Sequence, residues 1–385
     1  MLRRYGHVSE IRLPLWGRRP RLRRTPGPAA DLKNKADEGV GCGPVDRPTL
    51  AIGQRTLEAP RYGTIMLALA SLFPLVSSRA ADTKFVKAVS DHFELYTTDN
   101  QAAAKAALTH FETVRGYLLR AINAEDPFAA PVRIVGFKSP GEYGPYIPRN
   151  GDLSSKAFSI ADPERVTIVM SSLKPETYQY GVHEYVSLVF ARVAPKMPYW
   201  LRLGFSELYS TLHTTNGQLM LGAEPTREFR SAVSADFNME VMFSLKGGVS
   251  RNKAAADFYA ETSQTGVANS KTGAAMANLA STQGVDYPVI LWQLTHMLMF
   301  KKEYSPKFGA FVGAVSGGED TVAAVLRVFG QSLAGLQQDL TLYIKMPAHA
   351  VVGLNFQLDK PVAPRMSQLS AGDSAFILED LKAAK

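Results

Sequence analysis

The sequence predicts an α+β fold, with a small mixed sheet packed on one helix and a mostly helical part after it. Two observations indicate this arrangement. Strand patterns are concentrated before residue 171, and helical periodicity dominates after it. Strands that come first and helices that come later favour α+β over a doubly wound parallel sheet. The predicted domain covers residues 82–345.

Alternating or β-branched segments predict the strands, which lie at residues 92–98, 131–137 and 165–170. Apolar residues at helical spacing predict a helix over 102–122. The Pro-, Gly- and Tyr-rich stretch 139–152 is a predicted loop.

The later segments are mainly helical. Pro175 suits a first helical turn, and Pro195 and Pro198 bound the helix that begins there. The helices are predicted at residues 175–193, 199–212, 287–300, 308–315, 321–329 and 332–344. Residues 245–285 are small, polar and Gly/Ala-rich, which predicts a loosely structured insertion, and 346–385 is a predicted irregular tail with a last helix near 374–381.

The positive charge of the chain is confined to its beginning. Residues 1–64 hold 13 Lys or Arg and 6 Asp or Glu, whereas residues 82–385 hold 29 of each sign. The predicted domain is therefore neutral, and no nucleic-acid partner is expected for it. Residues 1–64 lack periodicity and are predicted to be a disordered or spurious upstream leader.

Residues 65–81 have the layout of a secretory signal. An apolar run over 65–76 follows Arg61 and precedes a small-x-small site, so cleavage is expected near Ala80. The run is too short for a transmembrane anchor. These features predict a secreted or periplasmic protein whose true start codon lies within 45–66.

The segment H-E-Y-V-S begins at His183 and has the shape of the zinc-peptidase motif H-E-x-x-H. In that motif two His four residues apart hold Zn²⁺ from one helix face, and the Glu activates a bound water. Ser187 stands where the second His belongs, and a hydroxyl does not replace an imidazole in a tetrahedral zinc site.

A second motif, W-L-R-L-G-F-S-E-L, begins at Trp200. Together the two motifs resemble a bacterial family of unknown function with the peptidase-MA-like, gluzincin zinc-metallopeptidase fold, whose members read H-E-Y-x-H and W-L-N-E-G-x-A-E. The resemblance covers roughly residues 90–360. It implies that His183 matches the first zinc ligand and Glu184 the general base. Ser187 and Leu203 then occupy the two remaining ligand positions, and neither can ligate.

Glu207 is one helical turn beyond Leu203 and is a candidate replacement ligand. Even so, His183 and Glu207 provide fewer than the three protein ligands of a catalytic zinc. A third donor would have to come from elsewhere in the chain, for example from His213 or His296. Arg202 replaces the Asn of the family motif. We expect its guanidinium cation to offset the negative charge of the Glu184 and Glu207 carboxylates in a site that holds no metal.

Several aromatic residues precede or lie on the motif helix, and core packing explains them better than a ligand groove. They are Tyr143, Tyr146, Tyr178, Tyr180 and Tyr185.

The resulting prediction is a secreted, catalytically inactive metallopeptidase-like protein without a cofactor, in which Glu184 is vestigial. Its cleft would bind an extended peptide or protein along an edge strand such as 165–170. One alternative is an active zinc peptidase with His183, Glu207 and a non-standard ligand. Another is a scaffold or interaction protein of the envelope.

Overall fold

A computed structural model describes residues 84–148, 156–161, 165–225, 237–244 and 287–383. The predicted leader (1–64), the predicted signal segment (65–81) and the predicted insertion (245–285) lie outside these residues.

A six-stranded mixed sheet forms the first layer of the fold. Its strands are β1 (Val86–Val89), β2 (Phe93–Thr97), β3 (Val132–Gly136), β4 (Ala157–Ala161), β5 (Val166–Met170) and β9 (Arg365–Gln368), in the order β4-β5-β3-β2-β1-β9. β2, β3 and β5 are parallel neighbours, whereas β1 with β2, β1 with β9 and β4 with β5 are antiparallel. The mixed sheet and the α+β class are therefore as predicted.

β5 corresponds to the strand predicted over 165–170, but it is not at the edge of the sheet. It pairs with β3 on one side and with β4 on the other. The edge strand on this side of the sheet is β4, a short Ala- and Ser-containing segment without the β-branched pattern that marks β5, and β9 is at the other edge. The expectation that 165–170 offers an open edge is wrong, and that role belongs to β4.

Ten helices lie in the described residues: α1 (Gln101–Ala121), α2 (Pro140–Tyr143), α3 (Tyr178–Val193), α4 (Tyr199–Tyr209), α5 (Met239–Ser244), α6 (Tyr287–Phe300), α7 (Ser305–Ser316), α8 (Thr321–Ala324), α9 (Leu333–Ile344) and α10 (Ala371–Ala383). A π-helical segment, Val325–Phe329, continues α8, and the 3-10 turns Gly144–Tyr146 and Pro175–Thr177 follow α2 and precede α3. None of the helices described has the length and apolarity required to cross a membrane.

Local chemistry explains several helix starts. The side chain of Asn100 accepts a hydrogen bond from the amide of Ala103 at the start of α1, and Ser332 caps α9 in the same way through Gly335. Such caps satisfy amides that have no partner within the helix.

The sheet separates two apolar cores. α1 and α3 cover one face, where Phe93, Ile134 and Ile168 join the main core. α10 covers the opposite face, where Ile377 and Leu381 pack with a smaller, aromatic-rich cluster. Within the described residues, no further strand pairs with the outer side of β4 or of β9.

The last segment of the chain is more regular than predicted. It supplies β8 (Val352–Leu354), which joins β6 (His213–Thr215) and β7 (Gln218–Leu221) in a second, three-stranded sheet. It also supplies β9 and α10, and the carboxylate of Asp380 on α10 lies 2.8 Å from the guanidinium of Arg133 on β3. The prediction of an irregular 346–385 tail is wrong for β8 and β9, because long-range pairing rather than local pattern stabilises them, whereas α10 corresponds to the last helix expected near 374–381.

Candidate functional site

Close packing of α3 on the sheet positions the H-E-Y-V-S segment. Gly181 makes this approach possible, because a Cβ atom there would lie 2.6 Å from Sδ of Met170 and 2.9 Å from Cζ of Phe111. Two residues later, His183 is buried and faces α4. Glu184, on the neighbouring part of the helix surface, remains partly accessible.

His183 lies between two carboxylates. Its Nε2 atom is 3.3 Å from Oε1 of Glu207 on α4, and its Nδ1 atom is 3.7 Å from Oε1 of Glu184. The Nε2 contact is an ion pair without the alignment of a hydrogen bond. Glu207 is 1 % exposed, so the pair is shielded from solvent. The sequence-predicted residues His183, Glu184 and Glu207 are therefore brought together.

The two carboxylates determine the charge of the imidazole. Burial lowers the pKa of His183, but the negative charge of Glu207 and the contact with Glu184 outweigh it, and the pKa rises to about 9. His183 is thus an imidazolium at neutral pH. The positive charge between Glu184 and Glu207 is therefore the imidazolium ring of His183.

Glu184 also contacts the edge strand. The hydroxyl of Ser159 on β4 donates a hydrogen bond of 2.6 Å to Oε2 of Glu184. This hydrogen bond links β4 to α3 at Glu184, whose other carboxylate oxygen faces His183. The sequence did not single out Ser159, because no local motif marks a lone serine in a strand that was itself not predicted.

The two remaining ligand positions of the gluzincin motifs have other roles. Leu203 is buried in the main apolar core, and Ser187 is half-buried on α3. A hydroxyl and an isobutyl group do not supply the imidazole and carboxylate that catalytic zinc requires. These residues therefore do not fit a catalytic zinc ion.

The candidate third donors are engaged elsewhere. His296 lies with Nδ1 2.7 Å from the hydroxyl of Tyr343 and Nε2 2.9 Å from the carbonyl of Ala350. Burial lowers the pKa of His296 to about 3, so the ring is neutral: Nε2–H donates to the carbonyl and Nδ1 accepts from the hydroxyl. His213 directs Nδ1 to the carbonyl of Thr211 at 2.9 Å. Among the residues that the structure describes, no three His, Cys, Asp or Glu side chains form a metal-binding group.

Arg202 does not compensate the carboxylates as expected. Its guanidinium carbon lies 5.4 Å from the ring centre of Tyr199, and within the described residues it forms no ion pair with Glu184 or Glu207. Desolvation lowers the pKa of Arg202. The compensating cation is His183, which explains why a neighbouring arginine is not needed for that purpose.

The aromatic residues near the motif are mostly core residues, as predicted. Tyr143 and Tyr146 belong to the core on the α10 side of the sheet, whereas Tyr178 and Tyr185 belong to the main core. Tyr180 is half-buried, and the amine of Lys156 lies 5.1 Å from its ring centre.

The accessible surface beside the charged cluster has two parts. α3 contributes a half-buried stripe at helical spacing, comprising Tyr180, Glu184, Ser187, Leu188 and Ala191. β4 contributes backbone groups on its outer side, with which no strand of the described residues pairs. The amide of Ser171 donates to the carbonyl of Lys156, so this cross-strand pair is hydrogen-bonded. Since such pairs alternate, the N–H and C=O groups of Ala157, Ser159 and Ala161 point away from β5.

No protein-family model, curated protein or solved structure matches the chain. The resemblance to gluzincins therefore stays a prediction that rests on the two motifs quoted above.

A separate cavity of about 810 Å³ lies near the start of α3, between α1, the end of α4 and β6. His110 and Tyr178 stack in its wall with ring centres 4.8 Å apart. Burial, followed by the nearby His213, lowers the pKa of His110 to about 4. Sequence reasoning missed this cavity, because its lining comes from four distant segments and no motif connects them.

Proposed function

We propose that the chain is a secreted or periplasmic metallopeptidase-like protein that binds extended peptides and does not hydrolyse them with zinc. The observation that carries the proposal is the position of β4 beside the motif helix and at the end of the sheet, where no other described strand pairs with its outer side. Two residues of β4, Ser159 and Ala161, direct backbone donors and acceptors outward, and no strand of the described residues pairs with them on that side. An added strand would satisfy these groups by main-chain hydrogen bonds, and side chains in the groove would set specificity.

The charge of the groove supports binding rather than zinc chemistry. Glu184 retains a partly accessible carboxylate, while Glu207 is neutralised by the buried His183. The net charge of these three groups is therefore −1 when His183 is protonated. A peptide with a basic side chain opposite Glu184 fits this charge best.

The half-buried stripe on α3 supplies the floor of the groove. Tyr180 and Leu188 provide apolar surface on either side of Glu184. A peptide that lies along β4 would place alternate side chains over this floor, because successive side chains of a strand point to opposite faces.

Peptide binding is tested with a phage-displayed library of random dodecapeptides, followed by calorimetry on the selected peptides. Ala161→Pro removes an outward N–H without removing a bond to β5. We expect it to weaken binding by about tenfold, which corresponds to ~1.4 kcal/mol. Ala161→Ser keeps the N–H and serves as the matched control. Equal affinity for the proline and serine variants, at equal melting temperatures, would contradict strand addition.

Metal content is measured on the same protein, purified from medium without added metal. The proposal expects no stoichiometric zinc and no chelator-sensitive proteolysis. Stoichiometric zinc together with proteolysis that Glu184→Gln abolishes would instead support a zinc peptidase with non-standard ligands.

A further inference from the structure

We propose that Ser159 and Glu184 form a metal-independent nucleophile–base pair that hydrolyses carboxylic esters. This inference does not depend on the peptide-binding proposal. It starts from the hydrogen bond of 2.6 Å that the Ser159 hydroxyl donates to Oε2 of Glu184. A serine hydroxyl becomes an effective nucleophile when an adjacent base takes its proton, and the two atoms already lie within transfer distance.

A third group orients the base. Oε1 of Glu184, the oxygen not bonded to Ser159, lies 3.7 Å from Nδ1 of His183. His183 is fixed in turn by Glu207 through the contact of 3.3 Å. The groups in contact are, in order, the Ser159 hydroxyl, the Glu184 carboxylate and the His183 imidazole, which in turn contacts the Glu207 carboxylate. They provide a nucleophile, a base and a positioning residue. The general logic of catalytic triads requires such an oriented base.

The nucleophile is accessible. Ser159 is half-buried on the edge strand, and Glu184 is half-buried on α3. The backbone N–H groups of Ser159 and Ala161 point away from β5, to the side of β4 where no described strand pairs. The two N–H groups lie about 7 Å apart along the strand, so one oxygen can accept from only one of them. The N–H group of Ser159, beside the nucleophile, is the one that can donate to the oxygen that gains negative charge when a carbonyl is attacked.

The reaction proceeds in two steps, acylation of Ser159 and hydrolysis of the acyl-serine ester. Oγ of Ser159 bonds to the ester carbonyl carbon while its proton passes to Glu184. The tetrahedral intermediate then expels the alcohol oxygen, which takes that proton, and an acyl-serine ester remains. In the second step Glu184 takes a proton from water, the water oxygen attacks the acyl carbon, and the proton returns to Oγ as the carboxylic acid leaves. Esters are the expected substrate class because their alcohol leaving group needs less proton assistance than an amine.

Two probes test the pair on the full chain: p-nitrophenyl acetate, with release of nitrophenolate followed in a stopped-flow instrument, and a fluorophosphonate, with the labelled residue located by mass spectrometry. We expect a burst of nitrophenolate equivalent to the protein, fluorophosphonate on Ser159, and no effect of a chelator. Ser159→Ala should abolish both signals. Glu184→Gln retains an acceptor oxygen for the Ser159 hydroxyl but cannot take its proton, so acylation should slow by about 100-fold or more.

Ser370 provides a matched control, because its hydroxyl also donates to a carboxylate, Oδ2 of Asp373, at 2.7 Å. Ser370 lies at the start of α10, and Ser370→Ala should leave the burst and the labelling of Ser159 unchanged. Equal labelling of Ser159 and Ser370 would overturn the proposal, since any serine–carboxylate contact would then suffice. A wild-type protein that shows neither burst nor label would also overturn it. Peptide binding in that same protein would leave the proposed binding function intact.

Discussion

Nε2 of His183 lies 3.3 Å from Oε1 of Glu207, and this buried ion pair joins α3 to α4. In the gluzincin motifs that the sequence resembles, the corresponding helices would be joined through a zinc ion. Here a protonated imidazole provides the positive charge. A buried pair of this kind depends on both partners, because removal of one leaves an uncompensated charge.

The interaction between His183 and Glu207 is measurable with a double-mutant cycle. Glu207→Ala should lower the free energy of unfolding by about 3 kcal/mol, because it leaves the buried His183 without its main partner. His183→Ala combined with Glu207→Ala should cost less than the sum of the single variants, with a coupling energy of about 1–3 kcal/mol. Urea unfolding at neutral pH measures all four proteins.

A remote ion pair serves as the control for this cycle. Arg327 and Glu319 form an exposed pair with N–O distances of 2.8 and 2.6 Å. Solvent screens such a pair, so its coupling energy should be smaller than that of His183 and Glu207. Coupling energies of the same size at both sites would mean that burial adds nothing to the His183–Glu207 interaction.

His183 should also make stability depend on pH in a specific direction. Its pKa is raised from 6.5 to about 9, so the folded protein binds this proton more tightly than the unfolded chain. The stabilisation is complete below pH 6.5 and is lost as the pH rises through 9, and its size is a few kcal/mol at most, on the order of 1.4 kcal/mol for each pKa unit.

NMR titration of His183, with urea unfolding between about pH 6 and pH 9.5, tests this linkage. His183→Gln, which does not titrate, should remove this part of the slope. A His183 resonance that titrates below pH 6.5 would contradict the assignment of an imidazolium at neutral pH.

The sequence motifs singled out the three residues that the structure brings together, because helical spacing and the order of the two motifs are local properties. They could not identify Ser159, whose partner Glu184 lies 25 residues away and whose five-residue strand contains only one β-branched residue, Ile160. The edge position was misassigned for the same reason, since an unpredicted β4 left β5 as the outermost candidate.

The C-terminal elements illustrate a second limit of the sequence. β9 has only one partly buried side chain, Met366, and its strand structure comes from pairing with β1, nearly 280 residues earlier. Local propensity contains no information about such a partner. By contrast, α1 and α6 were predicted to within two residues, because each has a long apolar pattern of its own.

Replacement of the two non-ligating positions tests the gluzincin resemblance directly. Ser187→His together with Leu203→Glu should create a site with His183 that binds zinc stoichiometrically and raises the melting temperature when zinc is added. Each single variant should bind zinc much more weakly, and Leu203→Glu alone should destabilise the main core. Elemental analysis and calorimetry measure the outcome.

Arg202→Asn is the control for this reconstruction. It restores the family residue beside the motif but adds no donor with the charge or geometry of a zinc ligand, so zinc content should not change. If the double variant folds and still binds no zinc, the motif helices do not have the gluzincin arrangement.

The close packing of α4 on α6 at Gly204 leads to a further prediction about stability. Gly204 has no room for a side chain, because an added Cβ would overlap Oγ1 of Thr295 and lie 3.1 Å from the carbonyl of Leu291. Gly204→Ala should therefore lower the free energy of unfolding by about 1–3 kcal/mol. Thr295→Ala removes the overlapping hydroxyl, which is buried without a hydrogen-bond partner among the described residues. The combination of the two substitutions should accordingly be more stable than Gly204→Ala alone. Urea unfolding measures the comparison, and strictly additive losses would show that the two helices do not meet at Gly204 and Thr295.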